Sequence, residues 1–269
     1  MRHLLAADWL KMRHRWMPRI LILVLVVLLV LVLWGLASDS SRPNIFPVRG
    51  LLAALLLSSL IGAVLWPIMA GAWAGNEYSW GTVRLTLGRR PNRVEYVLSA
   101  IVTLMAWVTV SLLLAMLVGL LAGGIAATAT GHQFVVTSGV PADILLTLVK
   151  TFLSVLFVGL FFVSLAYAAG TIFQSPAAGI GLGIGLAIAE QILDGIFMHL
   201  GGAWQVVANH LPAAYIQALP SRVMSPAMTG SFVTKSGPGV GECLLGLGLY
   251  IAGLVAITLL VFQSRDVTG

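Results

Sequence analysis

Charge is the first thing this chain runs short of. Asp, Glu, Lys and Arg make up 9% of its 269 residues, where a soluble domain carries roughly 25%. With 59% hydrophobic residues, a globule of this size could not clothe itself in water-compatible surface. The bilayer is therefore the solvent for most of the chain. Cysteine is nearly absent too. The single Cys243 can close no internal disulfide, and no C-x-x-C pair is present to hold a metal. It stands at the edge of an apolar run and reads as a small buried residue. Also missing are G-x-x-x-x-G-K-[ST], so the chain does not bind ATP through a P-loop, and the G-x-S-x-G elbow. His199 and His210 are eleven apart, with no H-E-x-x-H or other ligand spacing. Asp8 and Asp39 look isolated near membrane surfaces. No catalytic group, cofactor site or metal site is expected in this chain, and it does not read as an enzyme.

What is abundant is long apolar runs. A ruler of roughly 19 residues marks six, at 20–36, 51–74, 97–123, 144–168, 177–198 and 243–262. They are continuous rather than alternating and far exceed the ~10 residues of a barrel strand. The third is long enough to tilt or to continue past the hydrocarbon. The expected fold is an all-α integral membrane protein, a single transmembrane domain over 1–269 with six spanning helices. Lys and Arg orient it. With six spans, ten of them fall on the side that holds both termini and residues 75–96, against four on the other. Positive-inside then puts both termini and that loop in the cytoplasm. The net charge of +6 is met by lipid headgroups, so no nucleic acid is expected as a partner.

Residues 1–19 place Leu5, Trp9, Met12 and Trp16 at helical spacing, with Arg2, Lys11, Arg13, His14 and Arg15 mostly elsewhere on the wheel. This predicts an amphipathic interfacial helix, tryptophans at the acyl boundary and cations toward phosphates, broken before the first span at Pro18. Gly35-Leu36-Ala37 after an apolar stretch has the look of a signal-peptide site, but the charged region is too long, so retention is expected.

Three ionisable residues fall at hydrocarbon depth: Lys150, Glu190 and Asp194. An unpaired charge there costs at least ~2.5–3.5 kcal/mol. Glu190 and Asp194 are four apart and share a helix face. At 1.5 Å per residue, Lys150 lies roughly 9 Å, Asp194 roughly 6 Å and Glu190 roughly 12 Å below the same boundary. The short connection 169–176 makes their spans antiparallel neighbours. Lys150 is therefore expected to pair with one or both acids, either as a clamp or as a polar lining. On the fifth span, Gly179/Gly183 and Gly181/Gly185 are two G-x-x-x-G spacings that would admit a neighbouring helix closely. Residues 199–242 are Pro-rich yet moderately apolar and are expected outside, partly dipping into the outer leaflet.

One polar stretch stands out between the second and third runs. It reads Glu77-Tyr78-Ser79-Trp80-Gly81-Thr82-Val83-Arg84, with Arg89, Arg90 and Arg93 beyond. With the basic N-terminus (Asp8-Trp9-Leu10-Lys11-Met12-Arg13), six spans and a tail ending Phe262-Gln263-Ser264-Arg265-Asp266, it resembles the membrane permease subunits of type-2 ABC exporters. The E-x-x-x-G-T-x-R pattern is the most specific part. The resemblance spans the whole chain in topology but only about forty residues in motif. It implies that 76–93 contains a coupling helix seated in a separate cytoplasmic ABC ATPase subunit, through Glu77, Tyr78, Trp80, Gly81, Thr82, Arg84 and Arg93. ATP and Mg would be bound by that partner, and two permease subunits, identical or different, would rock together in the cytoplasmic membrane to export an amphiphilic cargo. Arg89-Arg90-Pro91 would end the helix sooner than is usual in that family. Two other classes fit the same residues: an ion-coupled carrier using Lys150, Glu190 and Asp194, and a membrane scaffold that anchors a soluble partner. The carrier would need inverted repeats, and none is visible.

Overall fold

A computed structural model describes residues 2–38, 47–83, 92–129, 142–223 and 237–264. Among them every regular element is helical. In order they are α1 (Arg2–His14), α2 (Trp16–Ser38), α3 (Pro47–Ser79), α4 (Arg93–Ala129), α5 (Ala142–Phe173), α6 (Pro176–Leu200), α7 (Ala203–His210), α8 (Pro212–Val223) and α9 (Val240–Ser264). Six of these, α2 to α6 and α9, are long and apolar enough to cross a membrane. The chain is a multi-pass membrane protein.

The helices outrun the apolar windows that mark them. α4 has 37 residues, about 56 Å at 1.5 Å per residue against a hydrocarbon core of ≈ 30 Å. α4 extends past its apolar run at both ends, and α3 continues beyond its own run through Glu77, so that Glu77 and Arg93 are carried on helix ends. Pro67 sits inside α3 without ending it. Pro18 lies in the first turn of α2, where its missing N–H has no intrahelical acceptor to lose. The break between α1 and α2 falls at Arg15 rather than Pro18.

α5 is the central post. It packs on α3, α4, α6, α8 and α9, and 72% of its apolar stretch is buried. Its Val155, Val158, Phe162, Val163 and Ala166 are fully or almost fully enclosed. α3 joins it along its length with Trp66, Ala70 and Trp73 buried between them. α2 is fixed more lightly, through Leu25 and Leu29 against Ala115 of α4.

Bare backbone lets three helices meet at one level. A Cβ placed on Gly71 of α3 would strike the backbone of Gly179 and Ile180 of α6, and one on Gly170 of α5 would strike Ala74. Gly183 sits against Pro67 and Ala166. Gly179 and Gly183 thus lie in the α3–α5–α6 contact. Gly181 and Gly185 have no atom near the place of a Cβ and face away from the bundle. Close approach at those two was expected, and within this chain it is not made. On a helix, residues two apart point some 200° apart, so only one of the two overlapping glycine pairs can face α3.

Within the 199–242 segment, α7 and α8 are short helices. α8 buries Ala214, Tyr215, Ala218 and Leu219 against α5 and α9. The Tyr215 ring lies where a Cβ of Gly246 would be. Tyr250 donates from its hydroxyl to the His210 carbonyl at 3.2 Å.

Candidate functional site

Glu77 is the centre of the one dense polar cluster among the described residues. It sits in the last turns of α3 and is 3% exposed. A carboxylate so enclosed must be compensated, and four side chains do it. Arg15 donates to Oε1 at 3.0 Å. Lys11 (3.4 Å), the Thr82 hydroxyl (2.7 Å) and the Tyr96 hydroxyl (3.2 Å) all reach Oε2. Two of the donors come from the N-terminal arm, one from the turn after α3 and one from α4. A single side chain therefore fastens three parts of the sequence.

The arm is docked, not merely adsorbed. Met12 of α1 is 1% exposed and belongs to the main apolar core. Asp8 is buried and accepts from Ser99 of α4 at 2.6 Å, while Lys11 lies 3.5 Å from its other oxygen. Trp9 packs near Trp107 of α4, with ring centroids 5.6 Å apart. The Arg15 guanidinium lies between two indoles, 4.4 Å from Trp73 and 4.6 Å from Trp80. Stacking of this kind suits the planar, weakly hydrated guanidinium. The isolated Asp8 and the headgroup-facing Lys11 and Arg15 of the sequence reading are thus corrected: an inward face of 8, 11, 12 and 15 holds the arm on α3 and α4.

Burial pushes the Asp8 carboxyl above its ordinary value of 3.8; Ser99 and Lys11 pull it back down, and the nearby Glu77 adds to the rise. A folded-state pKa above the unfolded one stabilises the fold fully below the unfolded pKa and loses that contribution as pH rises through the folded value. Asp8→Asn should therefore gain stability on the wild type as pH climbs from 3.8. Melting curves of both proteins across that range check it, and parallel curves would refute it.

After α3 the chain turns at Gly81, whose φ of +69° is a conformation that other residues adopt only at a cost. The Gly81 N–H donates to the Tyr78 carbonyl at 3.0 Å, and the Thr82 hydroxyl lies 2.9 Å from the Glu77 carbonyl as well, so its single hydrogen is shared between that oxygen and Oε2. This closes the helix end while leaving Trp80 58% exposed. Tyr78 meets Phe262 of α9 edge-on, and Tyr96 stacks on the same ring at 5.6 Å. Arg93 donates to the carbonyls of Phe262 (2.9 Å) and Gln263 (2.7 Å), so it caps the end of α9.

The expected contact residues therefore divide. Glu77, Thr82 and Arg93 are engaged inside the chain, because an enclosed carboxylate and a helix end both demand partners. Tyr78 is half-buried, Gly81 makes the bend, and Trp80 presents a surface. Arg84, with Arg89 and Arg90, lies outside the described residues. Asp8, Lys11, Arg15, Tyr96 and Ser99 belong to the cluster and were not singled out as site residues.

The second expected site does not assemble. Lys150 lines a cavity between α5, α8 and α9, and it has no ion pair with Glu190 or Asp194. Asp194 Oδ1 is enclosed without a hydrogen-bond partner. Counting residues gives a position along a helix axis but not the azimuth of a side chain around it. Lys150 precedes Ala166, which faces α6, by sixteen positions, placing it about 160° around the helix at 100° per residue. No group of three His, Cys, Asp or Glu that could hold a metal ion occurs among the described residues.

No curated protein matches the chain. Over residues 49–268 it matches the family described as Protein of unknown function (DUF2705). That span takes in every helix from α4 to α9 and nearly all of α3, so the chain belongs to this family of unknown function.

Proposed function

We propose that the chain is the transmembrane subunit of an ATP-driven ABC exporter, powered by a separate cytoplasmic ATPase that binds the ATP and Mg. One observation carries this reading: the end of α3 is locked on three sides through Glu77, and exposed Trp80 stands at the tip of the lock. A displacement applied at Trp80 would pass into α1, α3 and α4 together, as a lever requires. Arg84, just beyond, would meet a carboxylate of the partner. In this reading both termini and the Glu77 end face the cytoplasm, and the cargo is an amphiphile or another hydrophobic molecule. The fifth and sixth spans are 11% and 17% buried within one chain, which leaves faces for lipid and for a second permease subunit.

The ion-coupled carrier has less support, because Lys150 and the two acids lie on different faces. A non-transporting scaffold would share the Trp80 surface. Co-purification of the ATPase from native membranes tests the proposal. Trp80→Ala and Arg84→Glu should each lower recovery of the ATPase at least about tenfold, equivalent to ~1.4 kcal/mol of binding, with the chain still inserted. Undiminished recovery from both variants would remove the reading, and ATP hydrolysis unaffected by any hydrophobic substrate would favour the scaffold.

A further inference from the structure

The cavity that receives Lys150 has a chemistry of its own. It measures about 670 Å³ and lies where α5, α8 and α9 meet. That is inside the roughly 300–1,000 Å³ range of small-molecule sites. Phe157 and Leu160 of α5, Leu219 of α8 and Leu244 of α9 line it with hydrocarbon. Its charged lining residues are both cations, Lys150 and Arg222, and no described lining residue is acidic.

We propose that this cavity holds an anionic phospholipid, one acyl chain along the apolar wall and the phosphate at Lys150 and Arg222. The depth suits such a ligand. Lys150 is five residues inside the apolar stretch that begins at Leu145, some 8 Å along the helix axis, within reach of the headgroup level by a long, extended side chain. The access suits it as well. Leu146, Val149 and Leu153, on the same stretch of α5, are about half exposed, so the cavity adjoins a surface that acyl chains would cover. An ammonium at that depth is costly without an anion. A phosphate supplies the anion together with charge-assisted hydrogen bonds, and basic pockets between spanning helices suit anionic headgroups. Phosphatidylcholine carries a trimethylammonium that two cations would repel. The inference goes beyond the permease reading and does not depend on it.

Native mass spectrometry of the intact chain in dodecyl maltoside, with phosphatidylglycerol and phosphatidylcholine of matched chains, tests the proposal. One copy of phosphatidylglycerol should persist, with at least a fivefold preference over phosphatidylcholine. The double variant Lys150→Gln with Arg222→Gln should abolish the preference; because Arg222 also donates to the Gly237 carbonyl, Lys150→Gln alone should lower the preference at an unchanged melting temperature. Leu244→Trp, at a half-exposed lining position, should reduce retention of both lipids by filling the apolar wall. Equal retention of the two lipids by the wild type, or an unchanged preference in the double variant, would overturn the assignment. Displacement of phosphatidylglycerol by equimolar dodecyl phosphate would overturn it in favour of a free anionic amphiphile.

Discussion

Glu77→Gln should destabilise the protein by about 3 kcal/mol, the lower end of the ~3–5 kcal/mol typical of removing one member of a buried ion pair. The lower end applies because the side chains of Lys11 and Arg15 are 33% and 21% exposed, so water still reaches them. The amide keeps the volume, and its one oxygen can still accept hydrogen bonds. It cannot balance two cations, and its NH2 group would stand either against Arg15, in place of Oε1, or against Lys11, in place of Oε2, as a donor that cannot accept. The loss should be local in its first effect: α1 loosens before the bundle does. Thermal melting in detergent, combined with limited proteolysis of residues 2–15, reads both consequences. An unchanged melting temperature with the arm still protected would show that Met12 and the Trp9–Trp107 contact hold α1 without Glu77.

Gly71→Val should be more damaging still. The new side chain would have to displace the backbone of α6 at Gly179 and Ile180, and backbone cannot rotate out of the way as a side chain can. Overpacking of a tight core costs about 1–3 kcal/mol, occasionally more. Here the upper part of that range or beyond is expected, because Gly170 of α5 meets α3 at the same level and all three helices would have to separate. Gly185→Val is the control. It lies on the same helix as Gly179, six residues on, with no atom near a Cβ. It should melt close to wild type, since β-branching in place of glycine costs an exposed helix nothing. The two variants measured side by side decide the matter, and equal melting temperatures would mean that the α3–α6 approach is not tight.

Most of the fold was legible because long apolar runs and the limits set by a bilayer leave few alternatives. Each of the six runs lies within one helix, and the errors are confined to ends. There, helices such as α3 and α4 continue through Glu77 and Arg93 because polar partners replace lipid. The cluster itself was half legible. Glu77, Thr82 and Arg93 stood out as polar residues between apolar runs. Asp8, Lys11 and Arg15 were visible at i, i+3 and i+7 spacing, but the tryptophans around them suggested a lipid surface, and pairing across more than sixty residues leaves no local trace. Lys150 failed for a related reason. Depth along a helix follows from counting, whereas the direction of a side chain depends on how its neighbours are arranged around it.

The distance in sequence between the cations of the arm and their acceptor bears on how the protein is made. Lys11 and Arg15 precede Glu77 by 66 and 62 positions. At roughly 5–20 residues per second of synthesis, the arm waits several seconds for its counter-charge, with two hydrophobic segments still to be threaded into the bilayer. During that interval water and lipid phosphate are the groups available to it. The arm therefore reaches its docked position only after α3 and the start of α4 have been made, although its own residues precede both.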